Sequence, residues 1–175
     1  MLNDIARPIA PTSVRFIPPM KLAFVRARGP YAQSVGKAWQ QMFEWLDGRG
    51  HMTCTVRGYG LAHDDPQKTL SSQIRYDAAV QIPQTWEAAD ETLVHLKTFT
   101  GGSYTTQRYV GPYAQAGRMI SQTRRDVLPR NGLAFDPSRP ILCIYHSDPR
   151  VVGPQGQETD VCLPIMMDQR SKPRD

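Results

Sequence analysis

The sequence predicts an α+β protein built from tandem duplicated β-α-β-β units with pseudo-twofold symmetry, an antiparallel sheet carrying two helices on one face with a groove between them. Three observations lead there. The pentapeptide Gly29-Pro30-Tyr31-Ala32-Gln33 recurs unchanged as Gly111-Pro112-Tyr113-Ala114-Gln115, a shift of 82. The register then holds: Leu46 falls on Leu128 and Gly50 on Gly132 at 82, and after one added residue His63, Asp65, Pro66 and Asp77 fall on His146, Asp148, Pro149 and Asp160 at 83. Each copy also shows the same succession of local signals, and a repeat of supersecondary size decides the architecture before any local assignment does.

The first element of each copy is extended, Met20 to Arg28 and Tyr104 to Val110. Pro30 and Pro112 then stand where a helix begins, a position at which the missing N–H costs nothing and the fixed φ helps. In the first copy Val35, Trp39, Met42, Phe43 and Leu46 form one apolar stripe at spacings of three and four, and Gly48 and Gly50 end it. In the second, Ala116, Met119, Ile120, Thr123 and Val127 repeat the phase more thinly and Asn131-Gly132 end it. Two extended runs close each copy: Arg57 to His63 and Arg75 to Ile82, then Ile141 to His146 and Thr159 to Met166. Neither half carries enough apolar surface to stand alone, so one domain is expected over 20–167, with repeat one at 20–84, a linker at 85–92 and repeat two at 93–167. Residues 1–19 read as an N-terminal extension and 168–175 as a C-terminal tail. A concave site between helices is a natural place for a small ligand.

Composition narrows the class. Hydrophobic residues at 40% and charged residues at 21% suit a folded soluble chain. Cys54, Cys143 and Cys162 are odd in number and lack C-x-x-C spacing, which points to a reducing cytoplasm. No run reaches membrane-spanning length, and no membrane association is expected. The net charge of +5 is scattered, with Arg124-Arg125 and the tail residues Arg170, Lys172 and Arg174 its densest groups, and no nucleic-acid-binding motif accompanies it, so no direct nucleic-acid contact is expected. His63 and His146, one per copy and each before an acid-proline turn, read as turn residues and not as metal ligands; no metal and no cofactor is expected. Gly36-Lys37 lacks a phosphate-loop frame, and no nucleophile elbow or Cys-His pair appears.

Seven segments together resemble the GyrI-like small-molecule-binding family, which includes the gyrase inhibitor protein and the effector-binding domains of AraC-type and multidrug-sensing bacterial regulators. They are Gly29-Pro30-Tyr31, Gly60-Leu61-Ala62-His63-Asp64-Asp65-Pro66, Ile74-Arg75-Tyr76-Asp77-Ala78, Gly101-Gly102-Ser103-Tyr104, Gly111-Pro112-Tyr113, Tyr145-His146-Ser147-Asp148-Pro149 and Thr159-Asp160-Val161-Cys162-Leu163-Pro164-Ile165. The resemblance implies a pocket that takes hydrophobic or cationic compounds between aromatic side chains and an acidic group. That group maps to Asp160, within the family's Thr-acid-apolar-x-apolar-Pro pattern; many relatives carry Glu there, so Glu158, on the same strand face, shares the role. Relatives often carry a DNA-binding domain in front, which the nineteen residues before the first strand do not supply, so a stand-alone binding module is expected, for effector sensing or for protection against a toxic compound.

A carboxylate in a groove needs partners. Tyr31, Tyr113 and Tyr145 are expected to donate to Asp160 and to wall the ligand, and a cationic ligand would take their place. The plainer alternative leaves Asp160 exposed at a strand end and the tyrosines capping half-buried edges. Trp39 lies on the helix stripe as core or as ligand wall, with Ser121 at its counterpart position, and Tyr59 is a further wall candidate. Two other functions compete with small-molecule binding: docking on a partner protein such as DNA gyrase or a regulator, and hydrolysis of reactive ring-containing compounds with Asp160 or Glu158 as base.

Overall fold

The structure, a computed structural model, describes residues 7–48, 57–87, 93–148 and 150–168. In chain order its elements are β1 (Arg7–Pro8), β2 (Ser13–Ile17), β3 (Met20–Arg28), α1 (Tyr31–Gly48), β4 (Gly58–Ala62), β5 (Arg75–Gln81), β6 (His95–Phe99), β7 (Gly102–Val110), α2 (Ala116–Gln122), β8 (Leu133–Phe135), β9 (Ile141–Tyr145) and β10 (Glu158–Met167). The expected β-α-β-β succession therefore occurs twice in an α+β chain, as β3-α1-β4-β5 and β7-α2-β9-β10. Gly50, Cys54, Pro149, most of the presumed linker and the basic tail lie outside the described residues. Among the described residues no helix is long and apolar enough to cross a membrane.

The chain divides into two compact units, Pro18–Gly101 with Leu142–Ile144, and Met1–Ile17 with Gly102–Ile141 and Tyr145–Asp175. In the first, antiparallel ladders join β4 to β5, β5 to β3 and β3 to β6. Side chains alternate across such strands, so Ala23, Val25, Ala27, Tyr76, Ala78 and Val80 share one face, and Ala38, Met42 and Leu46 of α1 pack on it. The stripe buried by α1 is Ser34, Ala38, Met42 and Leu46, at a strict spacing of four. Of the expected stripe, Met42 and Leu46 are buried, whereas Val35, Trp39 and Phe43 run beside it and are only half-buried. Small Ala38 and Ser34 allow the helix close to the sheet, which leaves the bulky neighbours at the margin. Burying Met42 completely contributes on the order of 1.5–3 kcal/mol. Trp86, assigned from sequence to the linker, packs on Trp45 with ring centroids 5.5 Å apart, and Lys21 Nζ donates to the carbonyls of Gln84 and Trp86.

In the second unit β7 pairs with β10 on one side and with β1 and β2 on the other, and β8 pairs with the end of β10. The helical segment starts as a tight turn, Tyr113–Gln115, continues as α2, widens into a π turn over Thr123–Val127 and ends in one more turn, Leu128–Arg130. Its buried residues are Met119, Thr123 and Leu128. The five-residue step from Thr123 to Leu128 would rotate the stripe away from the sheet in a regular helix; the wider π turn returns it. Asn131 Nδ2 donates to Val127 O where the segment ends.

The duplication repeats in the main-chain bonds that tie each Gly-Pro-Tyr start and each histidine to the following strand. Gly29 N–H donates to Ile74 O and Gly111 N–H to Gln157 O, both at 2.9 Å, and His63 N–H to Arg75 O as His146 N–H to Glu158 O. Gly29 and Gly111 carry φ of 124° and 140°, a region that a side chain disfavours, which is why each Pro-Tyr is preceded by glycine. Asp65 Oδ1 accepts from Gln67 N–H and Asp148 Oδ1 from Arg150 N–H, the same turn twice.

Candidate functional site

Each unit holds one aspartate gripped by an arginine and a histidine. In the first unit Arg26 stands directly across the ladder from Asp77 and forks onto it, Nε to Oδ1 at 2.7 Å and Nη2 to Oδ2 at 2.8 Å. His63 Nε2 lies 2.7 Å and Lys97 Nζ 2.5 Å from the same Oδ2. Asp77 is fully buried. Burial pushes its carboxyl up, but the bonds from Arg26 and His63 and the nearby Lys97 charge outweigh this and hold it well below the ordinary range.

In the second unit Arg108 stands across from Asp160 and forks onto it at 2.7 and 2.9 Å. His146 Nε2 lies 2.9 Å from Asp160 Oδ2 and 3.0 Å from Arg108 Nη2, so one ring nitrogen faces an acceptor and a donor together. Glu158 joins through Arg108 Nη1 at 3.1 Å. The Asp160 carboxyl is raised by burial and lowered by its bonds to Arg108 and His146; the lowering prevails. Beside it a concavity of about 130 Å³ is lined by Ala10, Pro11, Ser13, Arg15, Thr106, Arg108 and Asp160.

The partners expected for Asp160 are therefore corrected: arginine and histidine hold it, not tyrosine hydroxyls. Tyr113 donates to Ser147 O and packs its ring on Tyr145 at 4.8 Å, and Tyr31 donates to Asp64 O, the equivalent bond in the first unit. The reason lies in strand alternation. Tyr145 and His146 are successive residues and point opposite ways, one to Tyr113 and the other to Asp160, so the acid and this aromatic pair sit on opposite faces of their sheet. The histidine side chains are corrected too, since they bond the acids and not the turns. Glu158 shares the Asp160 face as expected, two residues along the strand.

Trp39 is half-buried; its Nε1 donates to Tyr76 Oη at 3.0 Å and its ring lies 5.4 Å from Phe43. Tyr31 meets Tyr76 edge-on at 6.3 Å, and burial pushes its hydroxyl up to about 12. Trp39, Phe43, Tyr31 and Tyr76 thus make one aromatic wall along α1. Tyr59 does not join it: it is buried on the Asp77 face, its hydroxyl 3.4 Å from Gln81 Oε1. Sequence reasoning missed Arg26, Arg108, Lys97 and Arg15. The signal for the first two was present, because Arg26 and Arg108 are 82 apart, the shift of their strands.

A model of the GyrI-like small molecule binding domain matches residues 10–166. DNA gyrase inhibitor 2 of Dickeya dadantii (strain 3937) is 30% identical over 129 residues, 71% of this chain and 76% of that protein. A structure described as a hydrolase from Listeria innocua superposes with a TM-score of 0.64 at 19% identity, covering 91% of this chain and 94% of that one. SAV2435 bound to tetraphenylphosphonium superposes at 0.57 and 10% identity, covering 90% and 94%. The two structures share the fold; the domain match spans most of the chain and includes both copies of the repeat, and the chain belongs to the GyrI-like small molecule binding domain family.

Proposed function

We propose that this chain is a binding module for hydrophobic small molecules, lipophilic cations included, acting in effector sensing or in protection against the compound bound. The observation that carries it is the aromatic wall of α1. Trp39, Phe43 and Tyr31 are half-buried, with their bases fixed by the Tyr76 hydroxyl and by packing, and so present rigid π faces without further ordering. Such a face attracts a cation by roughly 0.5–2 kcal/mol. Tyr113 and Tyr145 supply a second pair in the other unit. Asp160 and Glu158 are proposed as a separate polar recognition point. That SAV2435 takes tetraphenylphosphonium supports the ligand class.

Thermal melting with tetraphenylphosphonium, a neutral polycyclic compound and an anionic dye tests the reading, since a ligand that binds only the folded state raises its melting temperature. The cation is expected to stabilise the wild type and to lose most of its effect in Trp39→Ala. Stabilisation that is unchanged in Trp39→Ala and in Tyr145→Ala would overturn it.

Docking on DNA gyrase remains the second reading, favoured by the name of the 30% identical relative. Capture of purified gyrase above a control protein supports it, and no enrichment removes it. Hydrolysis gains less from the geometry. A general base works best with a pKa near the working pH, whereas Asp160 is held below the ordinary carboxylate value by Arg108 and His146.

A further inference from the structure

The two acid clusters are copies, yet one is filled and the other open. On β6 of the first unit Lys97 stands at the register of Leu22, and its ammonium reaches Asp77 while lying 4.3 Å from the centre of the Phe24 ring. In the second unit β2 takes the place of β6, and the equivalent register, opposite Tyr104, is held by Arg15. Thr106 stands where Phe24 does, 82 residues on. Arg15 is exposed and makes no hydrogen bond or ion pair among the described residues. The ammonium that Lys97 brings to Asp77 has no counterpart at Asp160, and the concavity of about 130 Å³ lies at that position.

We propose that this concavity is a two-point site for a small zwitterion of the amino-acid class. Its ammonium rests on Asp160, as that of Lys97 rests on Asp77, and its carboxylate pairs with the guanidinium of Arg15, with the hydroxyls of Ser13 and Thr106 at the wall. Charge selects this class. A simple cation meets Asp160 but also the like charges of Arg15 and Arg108; a simple anion meets Arg15 but also Asp160 and, through Arg108, Glu158. A ligand bearing both signs satisfies both walls, and charge-assisted bonds of this kind are the strong ones. Size selects it as well. A volume of about 130 Å³ falls well short of the roughly 300 Å³ at which drug-sized pockets begin. The site lies on the strand face opposite Tyr113 and Tyr145, so it is independent of the aromatic walls.

The test is a ¹⁵N NMR titration of the full chain with glycine, methylammonium and acetate at matched ionic strength. Glycine is expected to shift the Thr106, Arg108 and Asp160 amide signals saturably and about tenfold more tightly than either half-ligand, the worth of one added charge-assisted hydrogen bond. Arg15→Ala, an exposed substitution that leaves the Arg108 fork intact, removes the advantage of glycine over methylammonium. Glycine binding no tighter than methylammonium or acetate, or equally tight in Arg15→Ala, overturns the proposal. Tetraphenylphosphonium melting on the same variant separates the two readings: its effect is expected to be unchanged, and its absence from the wild type, with glycine still bound, would count against the aromatic-wall reading alone.

Discussion

The guanidinium of Arg26 meets the carboxylate of Asp77 edge to edge through two parallel hydrogen bonds, at 2.7 and 2.8 Å, across neighbouring strands of one ladder. Because Asp77 is fully buried and also serves His63 and Lys97, its loss strands three donors at once. Removing one member of a buried pair costs about 3–5 kcal/mol. Asp77→Ala is expected to lower the urea midpoint by an amount of that order, and Asp160→Ala by less, since among the described residues Asp160 serves only Arg108 and His146, with no lysine at the place of Lys97, and keeps 5% of its side-chain surface in water where Asp77 keeps none. Equal losses would show that the two clusters share the load.

Acid should expose the same forks. Both Asp77 and Asp160 titrate below the ordinary value when folded, because their arginine and histidine bonds outweigh the upward push of burial. Stability from such groups is present above the unfolded pKa, about 4, and is lost as pH falls through the lower folded value. The melting temperature is expected to hold between pH 7 and 5 and to fall below pH 4, with a shallower fall in Asp77→Asn. Identical acid slopes in wild type and variant would place the sensitivity elsewhere.

Gly58 brings β4 under the indole of Trp39: a Cβ there would sit 2.8 Å from Trp39 Cη2. Gly58→Ala is expected to displace the ring, break its bond to Tyr76 and shift tryptophan emission. A cost of about 1–3 kcal/mol is typical of such overpacking. Tetraphenylphosphonium stabilisation should fall in the same variant; unchanged emission would mean that the ring has room to yield.

The copies suggest their own substitutions. Asp64 Oδ2 accepts the Arg75 N–H at 2.7 Å, and in the second unit Ser147 Oγ accepts the Glu158 N–H at 2.8 Å. Asp64→Ser keeps that acceptor and loses only the partly exposed pair with Arg75, so denaturation should show a loss within about 1 kcal/mol. Asp64→Leu orphans the N–H and is expected to cost about 1–3 kcal/mol.

The repeated core was legible because its causes are local. The Gly-Pro-Tyr starts, the period of each helix and the alternating strands appear in the structure close to their expected limits, β3 at both ends. β2 and β6 were not read as strands, since Ser13–Ile17 and His95–Phe99 are short and gain their ladder bonds only from β7 and β3. The acid assignment was legible and its setting was not. Asp160 was singled out by its motif, but the residue that holds it is opposite in the ladder and 52 positions away in sequence. A tyrosine next to a histidine gives no sign from sequence alone of which one faces the acid. Trp39 was expected on the buried stripe, and the smaller Ala38 takes that place.

The two edge strands carry one further consequence, a matter of connectivity. β2 runs into β3 yet pairs with β7, and β6 runs into β7 yet pairs with β3. Each copy of the repeat therefore lends the strand ahead of it to the sheet of the other. A chain severed between Glu87 and Leu93 would yield two fragments, each missing an edge that the other carries. Neither is complete by itself, and mixing them should restore the fold by complementation.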